Sequence, residues 1–153
     1  MDTYYHLKKN VQTKEYRIYK YLENLDLPFV PKLYSYDKKT QTLKTQKING
    51  LNLSDLYGEK WENIPDNIME KVRDIITKLY EIGIIYPDIT GYNFIQDHQS
   101  KIWVVDFEHC FYFNNYNINP IETTIEDKEQ QSHIEFVIQF CFENIQSWNP
   151  HFA

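Results

Sequence analysis

Three stretches of the sequence predict an α+β fold in a single domain. Residues Asp66 to Ile82 place Ile68, Met69, Val72, Ile75, Ile76, Leu79 and Tyr80 on one helical face, with Glu70, Lys71, Asp74 and Lys78 off it. Ahead of that helix, Val30 to Tyr36 and Thr42 to Ile48 flank the turn-like Asp37-Lys38-Lys39-Thr40 and read as paired strands. Behind it, Phe94-Ile95 and Ile102-Trp103-Val104-Val105 flank Asp97-His98-Gln99-Ser100 and read as a hairpin. At 153 residues the chain is long enough for a real core.

The elements follow in order. Thr3 to Lys9 alternates loosely and reads as a strand. Thr13 is a candidate cap for a helix from about Lys14 to Asn24. Its expected apolar face is Ile18, Tyr21, Leu22 and Leu25, and Glu15 in its first turn suits the helix dipole. Asn49-Gly50 is a turn signal, and Ile48 to Leu56 reads as a strand-to-helix turn. Trp61 to Pro65 is a connector, and Gly83 ends the long helix. Past the second hairpin, Ile125 to Ile145 reads as a last helix with Ile134, Val137, Ile138, Cys141, Phe142 and Ile145 on its apolar face.

The chemistry concentrates between Ile84 and Phe107. Asp88 and Asn93 fall in a loop before the hairpin, and Asp106 falls at its exit. Pro87 holds Tyr86 extended, and Gly91 suggests a backbone conformation other residues resist. If the strands pair, Asn93 and Asp106 become neighbours. A carboxylate and an amide oxygen converging in this way suit a hard cation such as Mg²⁺.

This stretch resembles the catalytic core of the protein-kinase-like superfamily. That pattern is a catalytic Asp, an Asn five positions on, then a hairpin ending in Asp-Phe-Gly. Here it stands as Tyr86-Pro87-Asp88, Asn93 and Asp106-Phe107-Glu108. The loop Asp88-Ile89-Thr90-Gly91-Tyr92-Asn93 and the later Glu126-Asp127-Lys128 are most similar to small atypical kinases of the RIO and Bud32 type, N-terminally truncated. The resemblance implies a minimal kinase-like fold. A reduced N-terminal lobe of few antiparallel strands and one helix would span 1–48, a hinge 49–58, and a small, mostly helical C-terminal lobe 59–153.

It also implies roles. Asp88 would orient or deprotonate a hydroxyl acceptor, and Asn93 and Asp106 would hold Mg²⁺ on the phosphates of ATP. Lys8 would grip those phosphates with Glu15 as its partner, and backbone groups of Lys47, Ile48 and Asn49 would read the adenine. The implied activity is transfer of phosphate from ATP to a protein Ser/Thr or a small molecule. ATP hydrolysis as an assembly switch is a variant.

The departures favour a rival, a pseudokinase serving as a binding or scaffold module. Tyr86 and Pro87 replace the usual His-Arg, and Glu108 replaces Gly. No G-x-G-x-x-G occurs anywhere in the sequence. A third reading is an unrelated α+β domain, which predicts that Asn93 and Asp106 lie beyond shared coordination reach.

Composition narrows the partners. A net charge of −6 argues against a nucleic-acid-coating protein. Cys110 and Cys141 are too few for a disulfide framework and fit a reduced, cytoplasmic setting. The first ten residues lack the apolar core of a signal peptide, and no apolar run approaches a membrane span. Isolated His109 and His133 read as structural or exposed rather than as ligands. Abundant Asn, Ile, Lys and Tyr suit an AT-rich genome, including those of large DNA viruses; a protein partner or substrate fits the ring-rich surface.

Overall fold

The computed structural model describes residues 5–86 and 88–112. Pro87, His133, Cys141 and the helix expected from Ile125 to Ile145 lie outside them. The chain opens with β1 (Tyr5–Lys8), α1 (Thr13–Glu23), β2 (Leu33–Asp37) and β3 (Thr42–Gln46). These strands form an antiparallel sheet in the order β1-β3-β2, with a register shift between Leu33 and Ser35. There follow β4 (Gly50–Asn52), α2 (Leu53–Tyr57) and α3 (Asp66–Glu81). Then come β5 (Ile84–Ile85), β6 (Phe94–Asp97), β7 (Ile102–Val104) and β8 (Phe111–Tyr112). A second antiparallel sheet runs β4-β6-β7, and β5 pairs with β8. The result is the minimal kinase-like α+β fold: a small sheet with one helix, then a helical segment carrying a second sheet.

Both expected hairpins form, and both turn by the same device. Asp37 Oδ1 accepts the Lys39 N–H at 2.9 Å, and Asp97 Oδ1 accepts those of Gln99 and Lys101 at 2.9 and 3.0 Å. Such side-chain caps of a turn are what Asp supplies more readily than most residues. The core is one cluster. It takes Ile18, Tyr19 and Leu22 from α1, Ile68, Met69, Val72, Ile75, Ile76 and Leu79 from α3, and Phe94, Ile102, Val104 and Phe107 from the hairpin region. The expected α3 stripe is buried, with Tyr80 partly so, and Gly83 follows the helix at φ 93°.

Four local expectations need correction. Thr13 is not the cap: it begins α1, Gln12 holds the cap position, and no side chain caps that first turn. Leu25 lies past the helix and is exposed, while Tyr19 is buried in its place. Asn49-Gly50 makes only a bend at Asn49 rather than a hydrogen-bonded turn. Gly50 starts β4, and a Cβ there would collide with the Gln96 carbonyl of β6, so the glycine serves close strand approach. Gly91 likewise answers to space rather than to φ, because a Cβ there would strike Ser54 Oγ and come within 3.0 Å of the Ser54 backbone nitrogen. The β5–β8 pair was not foreseen: two-residue strands carry no periodicity to read. Among the described residues, no helix is long and apolar enough to cross a membrane.

Candidate active site

Burial and partners make Glu15 the anchor of the site. It lies in the first turn of α1 and is only 2% exposed. Its two oxygens accept from Lys8 Nζ at 3.0 and 3.1 Å, and Oε2 also accepts the Phe107 N–H at 3.2 Å. Lys8 Nζ further donates to Asp106 Oδ1 at 3.1 Å. One ammonium therefore bridges β1, α1 and the segment after β7. Burial works against the Lys8 charge, but the Glu15 and Asp106 carboxylates outweigh it and hold its pKa above the ordinary lysine value. Burial pushes the Glu15 carboxyl up, and Lys8 pulls it back.

Asp106 sits in the left-handed region at φ 67°. Such a backbone is uncommon outside glycine, though Asp tolerates it better than most. It persists here because its neighbours fix it. Phe107 is fully buried and packs edge-on against Tyr19 at 5.0 Å and Tyr86 at 5.6 Å. Tyr19 also hydrogen-bonds the Asp106 backbone, and burial pushes its hydroxyl pKa up. The Tyr86 hydroxyl donates to the Val105 carbonyl. Tyr86 thus keeps the aromatic packing expected of it and adds a hydrogen bond.

The hairpin returns the chain as expected. The Val105 N–H donates to the Asn93 carbonyl at 3.0 Å, directly extending the β6–β7 ladder. Asn93 is buried, and its Nδ2 donates to both the carbonyl and Oδ2 of Asp88 at 3.0 Å. With the amide nitrogen so employed, the amide oxygen is the end left for a cation. Burial raises the Asp88 pKa, the Asn93 hydrogen bond opposes this, and Asp106 reinforces it.

A cleft of about 400 Å³ joins these parts. Lys8, Asn93 and Asp106 line it, as do Gln46, Lys47 and Ile48. Its size lies in the ordinary range for small-molecule sites. Of the eight residues singled out from the sequence, Lys8, Asn93, Asp106, Lys47 and Ile48 line this cleft. Glu15 and Asp88 stand behind it through the bonds above. Asn49 does not line it; it borders a separate hollow with Asp97, His98, Gln99 and Trp103. Asn93 and Asp106 both border this one cavity.

The RIO domain matches residues 3–119. The chain belongs to the RIO domain family. This RIO domain is also similar to two proteins named 3-deoxy-D-manno-octulosonic acid kinase. That of Vibrio parahaemolyticus is 27% identical over 62 residues, covering 40% of this chain and 25% of the relative. That of Vibrio cholerae is 28% identical over 80 residues, covering 44% and 34%. The chain thus spans about a quarter to a third of the length of these relatives in the matched regions.

Several lining residues of the RIO domain were not singled out from the sequence. Leu43 and Thr45 of β3 face inward and line the cleft, as the alternation along that strand allows. Tyr19 could have been read from α1's apolar face, which Tyr21 was expected to carry. Tyr92 lines the cleft and donates its hydroxyl to Glu59. Nothing local in the sequence signals that pairing, because it joins residues from separate elements.

Proposed function

We propose that this RIO domain is a minimal phosphotransferase that moves the γ-phosphoryl group of ATP to a hydroxyl. The observation that carries the reading is that Lys8, Asn93 and Asp106 line a single cleft, with Lys8 bonded to Asp106 and Asp88 tied to Asn93. Phosphoryl transfer needs positioning and charge neutralisation more than covalent help from the protein. ATP would lie with its base against Lys47 and Ile48 and its phosphates toward Lys8. The similarity to proteins named as kinases of a small hydroxylated acid supports the same reaction class.

The donor set fits Mg²⁺. Among the described residues, no group of three or more His, Cys, Asp or Glu could hold a metal by itself. Mg²⁺ characteristically takes one or two protein oxygens and completes its shell with phosphates and water. The Asp106 carboxylate and the Asn93 amide oxygen would be those two, and the ion would neutralise charge on the phosphates. Lys8 would leave Asp106 for the phosphates, steadied by Glu15. Asp88 would accept the hydroxyl proton. A cytoplasmic setting, where ATP is abundant, suits this chemistry.

A nucleotide-holding scaffold without transfer is the second reading, favoured by the lack of any glycine-rich phosphate loop in the sequence. Thermal denaturation with ATP and Mg²⁺, against ATP and EDTA, tests the nucleotide site. A ligand that binds only the folded state stabilises it by about 2.7 kcal/mol at a hundred times Kd, a rise of several degrees. We expect a metal-dependent rise that Asp106→Asn removes. No shift at saturating ATP would refute the nucleotide reading.

A further inference from the structure

The net charge of −6 conceals a division along the chain. Residues 5–48 carry ten Lys and Arg against four Asp and Glu, while residues 49–112 carry five against eleven. Much of the positive half gathers on the first sheet and the segments joined to it. Lys9, Lys32, Lys38, Lys39 and Lys47 are exposed there. The one acid of β1, β2, β3 and the β2–β3 turn is Asp37, and its Oδ1 already accepts the N–H groups of Lys39 and Thr40.

The register sorts the two faces of this sheet. Leu43 and Thr45 of β3 are buried and line the cleft, as do His6 and Lys8 of β1. Side chains alternate along a strand, so Tyr5, Leu7 and Lys44 stand on the opposite, outer face. On the other side of β3, Ser35 opposes Lys44, and the register shift makes Tyr34 the extra residue beside it. Tyr34 is 50% exposed, Leu7 49% and Tyr5 36%. Lys44 Nζ lies over the Tyr5 ring, 3.7 Å from its centroid. The outer face therefore holds a tyrosine on each of its two outer strands, with a lysine on the strand between them.

We infer that this outer face binds single-stranded nucleic acid. The two outer strands lie roughly 10 Å apart across β3, which lets one base stack on each ring while Lys44 meets the phosphate between them. The surrounding lysines supply the attraction for the backbone, and the rings supply what charge alone does not, a preference for unpaired bases. A duplex keeps the faces of its bases inside the stack, so the rings would have nothing to receive. A membrane-surface segment typically gathers its apolar side chains along one side of a helix, whereas Tyr5, Leu7 and Tyr34 lie flat on strands among lysines. The face lies on the other side of the sheet from the cleft, so a bound strand leaves the cleft open.

The test is fluorescence anisotropy with the full chain and four probes: labelled oligouridine, labelled oligothymidine, the adenine–uracil duplex, and labelled vesicles of phosphatidylcholine with phosphatidylserine. We expect one or both single strands to bind at least tenfold more tightly than the duplex, and the stronger of the two tells RNA from DNA. Tyr5→Ala and Tyr34→Ala should each weaken single-strand binding at least fivefold, about what one lost stacked base costs, and Tyr34→Phe should retain it. Lys44→Gln should flatten the slope of log affinity against log salt by about 0.7, the effect of one lost phosphate contact on a single strand. Melting temperatures close to that of wild type would show that these variants keep the fold. A duplex bound as tightly as either single strand, or alanine variants that both bind like wild type, would overturn the inference and leave charge alone. Vesicle binding without binding of either strand would overturn it in favour of a membrane, and no binding of any probe would overturn it outright.

Discussion

Asp88 shows how a residue can serve chemistry at the expense of stability. Its carboxyl is half-buried, and burial raises its pKa with Asp106 adding to the rise, although Asn93 opposes both. A folded pKa above the unfolded one means that the protonated form favours the fold. That contribution is fully present below the unfolded pKa and is lost as pH climbs through the folded pKa. At neutral pH, then, the charged Asp88 costs stability. Asp88→Asn removes the charge and keeps an oxygen for the Asn93 amide. It should unfold at the same temperature as wild type or slightly above it, while transfer falls about 10²- to 10⁴-fold, the usual contribution of a positioned base. In wild type the acid limb of kcat/KM should lie above the ordinary aspartate value, because only the carboxylate accepts the proton. Melting curves and a pH–rate profile read both effects; a variant that loses stability but keeps its rate would make Asp88 structural. The identity and spacing of Asp88, Asn93 and Asp106 were legible in the sequence because that motif is local. The Lys8–Glu15 bond was suggested by resemblance alone. The burial of Glu15, and its grip on the Phe107 N–H across 92 positions, follows only from the assembled fold.

At the scale of elements, α2 and the loop holding Asn93 meet without spare volume. Gly91 abuts Ser54, and Asn52 caps α2 by accepting the Asp55 N–H at 2.8 Å. Gly91→Ala should therefore cost about 1–3 kcal/mol from overpacking, read by denaturant titration. It should also weaken ATP binding, because the displaced loop carries Asn93. Ser54→Ala removes the oxygen that the new methyl strikes, so the double variant should recover part of the loss; strict additivity would show that the contact does not limit the fold. The long-period elements were readable from sequence: α3 declares its buried face over four turns, and both hairpins declare their Asp-led turns. The glycines were misread because a sequence shows that a Cβ is absent, not which neighbour needs the room. The cap of α1 was misplaced by a single residue: Thr13 carries the stronger capping signal, but packing of Ile18, Tyr19 and Leu22 holds the helix and Gln12 takes the cap position without a side-chain bond.

The whole molecule lines its cleft with residues of two sheets and of the segments that follow them. Residues 43–48 of the first sheet and its exit form one wall, with Lys8 from β1; Asn93, Ile95, Val105 and Asp106 form the other. The two walls are tied at Lys8, which touches Glu15 and Asp106, and at Glu15, which reaches Phe107. Sequence could assign each wall an element, but not the cavity between them, because a cavity is a relation among elements distant in the chain. Occupancy should therefore act on both walls at once. Hydrogen exchange with ATP and Mg²⁺ should slow at backbone amides of 43–48 and of 104–107 together, while the middle of α3, already buried and away from the cleft, exchanges as before. Asp106→Asn, which should remove the metal-dependent binding, should lose the protection at both 43–48 and 104–107. Protection confined to 43–48 in wild type would mean that the nucleotide is held by its base alone, and the phosphate end assigned to Lys8, Asn93 and Asp106 would then have no part in binding.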